Sequence, residues 1–272
     1  MKSHDLAQFV FNNSILNLPQ IDEVIKAARS SNPSLAAAAL FLQFVSVDEL
    51  DGTDDDSVKS LLTPKQLSRI SELKDGKSLN FAQALVDMKI VDFARLEKIF
   101  DQYNNLEIPP VESALTTYYE TFKKRYDVDF PFAVEIVRSF HSFLSETLDT
   151  SIVILPSHIR EDKQKPGASV KIDGEIPAVV ALYAEESIFI KLAARYDSYV
   201  EMSEDANDAV AELLNVFTGQ FTVNIAVRRG LEEVPEPPRC GNIFNNLDGI
   251  AMISDFGTFY VYIGKDEIFD KR

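Results

Sequence analysis

Asp208, Glu212, Asn215 and Gly219 follow one another at steps of four, three and four residues. On a helix, at roughly 100° per residue, they fall within a stripe about 60° wide. Glu212 and Asn215, at i and i+3, point the same way. A carboxylate beside an amide can accept, donate and carry charge. Alone the pair lacks a nucleophile and a metal, so it becomes catalytic only where a partner brings the rest. Without such a partner these are ordinary solvated polar residues. Gly219 costs about 1 kcal/mol relative to Ala inside a helix and asks for a reason. A flat spot that admits another molecule's backbone is one; close packing under a neighbouring strand is another, and both stay open.

Other chemistries find no support in the chain. There is no G-x-S-x-G elbow and no Gly-rich phosphate loop, with Gly totalling 10. His4, His141 and His158 are scattered without metal-ligand spacing. His141 is expected on a helix surface or at an interface. Asp255-Phe256-Gly257 lacks every companion of a kinase site and is expected to be a hairpin turn.

The stripe needs a helix to carry it, and residues 203–229 supply one. Ser203 is the expected N-cap, with Glu204 and Asp205 where a helix start favours negative charge. Val210, Leu213, Leu214, Phe217, Phe221 and Ile225 form an apolar stripe nearly opposite the polar one. Arg228, Arg229 and Gly230 complete a matching stop.

Asp208-x3-Glu212-x2-Asn215, followed by x22 and Pro238, resembles the signature of the chemotaxis phosphatase family that includes CheC, CheX and FliY. Gly219 and the run Pro235-Glu236-Pro237-Pro238 are similar to that family too, and the likeness extends from about Asp129 to the C-terminus. The resemblance implies an aspartyl-phosphate phosphatase, a hydrolase of two-component signalling whose substrate is a phosphorylated CheY-type response regulator. Under it, Asn215 positions the attacking water and Glu212 pairs with the regulator's lysine. Asp208 and Gly219 become partner-binding positions, and Pro238 shapes the following turn. No cofactor is implied in this chain; Mg²⁺ is expected on the regulator. A CheX-like homodimer, formed through sheet edges, is a further implication. The rival reading is a non-catalytic adaptor that docks a response regulator or flagellar-switch component through the same helix face.

Helix 133–148 holds an imperfect echo, Ser142-x3-Glu146-x2-Asp149. Its last position is a carboxylate, which when ionised cannot donate and would repel a phosphoryl group. A non-functional copy is expected.

Composition limits the partners. The 272 residues carry 43 acidic and 27 basic side chains, a net charge of −16. That disfavours nucleic acid, which needs a basic footprint, and an anionic membrane surface. The longest apolar run, Leu35 to Val45, is about half a membrane span and suits a buried helix. No secretory signal is visible, and the single cysteine, Cys240, fits a reducing compartment. A soluble cytoplasmic protein is expected.

Two domains follow, 1–110 and 111–272. The first is expected to be wholly helical, with an interaction or regulatory role, and the acidic run Asp48 to Asp56 a solvated loop. Leu106 to Pro110 reads as a linker, since two prolines cannot continue a helix. In the second, strand patterns at 170–174, 176–184, 249–254 and 258–263 alternate with helices 133–148, 185–199 and 203–229. Two hairpins separated by helices indicate an α+β fold, an antiparallel sheet with helices on one face. The family resemblance refines this to a CheC/CheX-like sheet with two long helices on one face, preceded by the all-α domain. It also implies further sheet within 150–160 and 235–245.

Overall fold

In the computed structural model, residues 6–50, 54–73, 76–122, 129–156, 165–198, 203–243, 247, 249–265 and 268–269 are described, with the main chain alone for 118–122, 130, 203 and 204. His4 and His158 lie outside these residues, as do the side chains of Tyr118, Tyr119, Phe122 and Tyr126. Contacts divide the chain into two units, Met1–Ser113 and Ala114–Arg272.

The described part of the first unit is helical. Its elements are α1 (Leu6–Asn12), α2 (Leu18–Ala28), α3 (Leu35–Phe41), a 3₁₀ turn (Val47–Glu49), α4 (Asp55–Leu61), α5 (Pro64–Ser71), α6 (Gly76–Asp87) and α7 (Phe93–Asn104). Most starts are chemically marked: Asn17, Ser34, Asp54, Thr63 and Asp92 each accept from a first-turn backbone N–H. Phe9, Ile21, Leu40, Phe81, Leu85 and Phe100 are fully buried or nearly so.

The helix stops repeat. After α1, α3 and α6 the chain turns left-handed at a non-glycine residue, Ser14, Gln43 and Lys89, with φ of 53°, 56° and 57°. The next N–H returns five residues, Ile15 to Val10 at 3.1 Å, Phe44 to Ala39 at 2.9 Å and Ile90 to Leu85 at 3.0 Å. Each stop is a Schellman cap. A buried Leu16, Val45 or Val91 follows, then a polar residue opens the next element at Asn17, Ser46 or Asp92.

Three expectations shift here. The alanine-rich helix closes at Phe41 because Gln43 is left-handed. The acidic run is partly structured: Asp48 and Glu49 sit in the 3₁₀ turn, and Asp54 caps α4 by accepting from Ser57 N–H at 3.0 Å. Pro110 is no linker residue but the first of α8 (Pro110–Phe122), a position where its missing N–H costs nothing.

The second unit is α+β. It contains α9 (Phe130–Thr147), β1 (Val153–Ile154), β2 (Lys165–Gly174), β3 (Ala178–Ala184), α10 (Glu186–Tyr196), α11 (Ser203–Arg229), β4 (Glu233–Pro235), β5 (Arg239–Ile243), β6 (Ile250–Ser254) and β7 (Gly257–Gly264). The antiparallel sheet runs β1-β6-β7-β3-β2, with β4 and β5 both on the outer edge of β2. Register puts Ala168, Leu182, Val261 and Ile250 in one row, and Gly167, Tyr183, Tyr260 and Ala251 in the next. Since neighbouring rows face opposite ways, the all-aliphatic row is the one a helix layer can bury. α10 and α11 pack on the sheet, and α9 packs on α11.

The second row carries tyrosines. Tyr183 and Tyr260 stack at 5.1 Å, with the Lys165 ammonium 4.5 Å from the Tyr260 ring.

The β2 strand starts at Lys165, ahead of the strand pattern at 170–174, so Pro166 and Gly167 lie inside it, paired with β5. Short strands β1, β4 and β5 fall in or beside the segments where more sheet was implied, while 157–164 lie outside the described residues. Asp255-Phe256 forms the two-residue turn between β6 and β7, closed by Gly257 at φ 127°. His141 is not at the surface: it is 1% exposed, and its Nε2–H donates to the Ile152 carbonyl at 2.9 Å.

Candidate functional site

The α11 helix runs 27 residues from Ser203, so Ser203 is a helical residue rather than the expected N-cap. Val210, Leu213, Leu214, Phe217, Phe221 and Ile225 are all buried. Aromatic contacts lock this face to α9: Phe217 lies 4.5 Å from Phe140 and 5.5 Å from Phe143, and Phe221 lies 5.6 Å from Phe132. At the far end Arg229 meets the Glu135 carboxylate at 3.1 Å. Gly230, at φ 70°, ends the helix with its N–H on the Ala226 carbonyl at 3.0 Å.

By length and composition, Asp205–Arg229 is the one described helix able to cross a membrane, and half of its apolar window is buried inside the protein. That burial, with three polar residues on the other face, makes it a core helix.

With the apolar side committed, Asp208, Glu212 and Asn215 face solvent. The Asn215 amide donates to Glu212 Oε2 at 3.4 Å, a long bond between two exposed side chains. A Cβ on Gly219 would meet nothing within 4 Å. Close packing under a strand is therefore not why a glycine sits there. Immediately before it, the Thr218 hydroxyl donates to the Leu214 and Asn215 carbonyls at 2.9 and 3.2 Å.

Two neighbours flank the stripe that sequence reasoning did not find. Tyr196, in the last turn of α10, has its phenol pKa raised by burial and then by the charges of Glu212 and Asp197. Cys240, on β5, donates to the Asn207 carbonyl at 3.3 Å. Burial first, and the nearby Asp208 charge second, push its thiol up to about 11. Pro238 lies in the connection that brings β5 back: Glu236 N–H bonds the Lys171 carbonyl at 2.7 Å, and Cys240 reaches α11 two residues after the proline. The sequence signal for Cys240 is only its nearness to Pro238.

The echo on α9 does not form a second stripe. Ser142 and Glu146 are exposed on the helix, but Asp149 lies beyond the C-cap Leu148 in left-handed conformation, φ 47°. Among the described residues no cluster of three His, Cys, Asp or Glu could hold a metal ion.

The chemistry available is thus an outward amide, a neighbouring carboxylate and a second carboxylate one turn earlier, on a rigid helix. Such a face can position groups; bond-breaking power must come from what docks on it.

No family model matches this chain, and no curated protein matches it. Among solved structures, similar folds are chemotaxis proteins of the CheX, CheC-like and FliY kinds. A CheX from Desulfovibrio desulfuricans shares 17% identity over 49% of this chain and 98% of its own, TM-score 0.38. A CheX–CheY–BeF₃–Mg²⁺ complex from Borrelia burgdorferi matches at 14% identity over 49% and 96%, TM-score 0.37. FliY from Thermotoga maritima matches at 14% identity over 60% and 94%, TM-score 0.36.

Proposed function

We propose that this protein is a cytoplasmic, CheX-like phosphatase that hydrolyses the aspartyl-phosphate of a CheY-type response regulator. The observation that carries the reading is the solvent-facing Glu212–Asn215 pair, hydrogen bonded to each other and held outward by a helix whose other face is fully committed to the core. The signature spacing through Asp208 and Pro238 supports it.

In the reaction, Asn215 enters the regulator's phosphorylation site. Its amide donates to and accepts from a water molecule, holding it in line with the P–O bond to the aspartate. Water's oxygen attacks phosphorus, the aspartyl oxygen leaves as carboxylate, and the water's protons go to solvent and phosphate. Catalysis here is positioning, as expected for phosphoryl transfer. Glu212 pairs with the regulator's lysine and sets the depth of insertion. Mg²⁺ belongs to the regulator.

The test is decay of a phosphorylated CheY-type regulator with wild-type protein and with Asn215→Ala. Wild type should speed phosphate release, and Asn215→Ala should lose about 10²-fold of kcat with little change in affinity. Binding without any acceleration by wild type would make the protein an adaptor and end the enzyme reading.

A further inference from the structure

The outward face of α11 does not end at Gly219. At roughly 100° per residue, Val223 points about 20° from the direction of Glu212, and Val227 about 60°. Val223 is 63% exposed and Val227 80% exposed; Ala226 beside them is exposed as well. Nothing in the helix calls for valine there. A β-branched residue on a wet helical face gains no burial and forms helix less well than Lys, Glu or Gln. Along its exposed side the helix therefore runs from acid and amide (Asp208, Glu212, Asn215), over an open glycine, to an aliphatic pair.

We propose that Val223 and Val227 are the apolar seat on which the body of the phosphorylated receiver protein docks while Asn215 attends its acyl phosphate. This inference rests on the phosphatase reading and names how that substrate is held. Size is the first argument. At about 1.5 Å per residue, Val223 lies about 12 Å and Val227 about 18 Å from Asn215 along the helix. A stable interface buries about 800 Å² per partner, a disc about 16 Å in radius. A folded protein whose reacting centre sits on Asn215 therefore covers Val223, and the rim of its contact comes within about 2 Å of Val227. A small phosphorylated metabolite reaches neither.

Complementarity is the second argument. The acidic start of the stripe faces a phosphorylation site that carries cations. The valines then need an aliphatic patch on the same partner. Aliphatic contacts beside a polar centre exclude water and so strengthen the charged contacts within it.

The experiment uses the full chain, a CheY-type receiver charged with acetyl phosphate, and three proteins: wild type, Asn215→Ala, and Val223→Gln/Val227→Gln. Glutamine keeps helix propensity and charge, and an unchanged melting curve confirms the fold. The double variant should raise KM at least tenfold with kcat within twofold, the signature of lost uniform binding; Asn215→Ala should do the reverse. A double variant with KM within twofold of an active wild type overturns the inference and leaves the phosphatase reading standing. A wild type that neither binds nor hydrolyses any receiver overturns both. If size-exclusion shows a wild-type dimer that the double variant converts to monomer, the valines belong to a self-interface and the inference falls.

Discussion

Replacing Gly219 with alanine separates what the fold wants from what the site wants. The residue lies well inside α11, and a methyl there would touch nothing within 4 Å. Intrinsic propensity then favours alanine by about 1 kcal/mol, part of it from a less flexible unfolded chain. For a domain of this size that is a rise of about 2–4 °C in Tm, measurable by calorimetry or circular dichroism. At about 6 Å along the helix from Asn215, the same methyl stands where a docked partner's backbone would lie. Overfilling a close-packed contact costs roughly 1–3 kcal/mol, so KM for a phosphorylated regulator should rise between about 5-fold and 150-fold. The expected result is a more stable, less effective protein. A fall in Tm would refute the open-face geometry. A rise in Tm with KM unmoved would remove Gly219 from the docking surface.

Other outcomes follow from the same structure. Asp255 bonds the Arg195 guanidinium and accepts from the Thr150 hydroxyl, with its side chain 5% exposed; Asp255→Ala should cost about 3–5 kcal/mol by stranding the arginine. Urea unfolding checks it, and a loss below about 1 kcal/mol would show that the junction is not a stabilising one. Ser14→Gly and Lys89→Gly each relieve a left-handed residue at a helix stop and should add about 0.5–1 kcal/mol, seen as a higher urea midpoint. The Cys240 thiol, raised to about 11, should react with iodoacetamide at pH 8 about 10²-fold more slowly than a free thiol. Its raised pKa contributes stability that is complete below the unfolded thiol's pKa and is lost as pH climbs through about 11; Asp208→Asn should speed the labelling.

Local periodicity made α11 legible, because one helix carries both its burial and its chemistry. Val210, Leu214, Phe217 and Phe221 had to face inward, and that alone turns Asp208, Glu212 and Asn215 outward. The two hairpins were legible for the same local reason, with Asp255-Phe256 forming their second turn. The helix stops of the first unit were not, since Ser14, Gln43 and Lys89 do the work usually marked by glycine. His141 was misplaced because a helical wheel shows that a residue faces a direction but not what covers it. The Ile152 carbonyl that accepts its hydrogen bond arrives from beyond the helix.

The flanks of the site were hidden for a deeper reason. Tyr196 and Cys240 reach α11 from a preceding helix and from an edge strand, through contacts that leave no period in the chain. The placement of Cys240 depends on β5 joining β2, where Ala168 pairs with Cys240 and Ser169 with Arg239. That pairing is possible because β2 extends back through Pro166 and Gly167; a Cβ on Gly167 would lie within 2.4 Å of the Ile243 side chain. The glycine therefore admits the edge strand, the strand brings Cys240 to Asn207, and the neutral thiol closes the acidic start of the stripe. A substitution at Gly167, on the opposite row of the sheet from the helix layer, should thus disturb the Asp208 end of the stripe before it disturbs the Asn215 end.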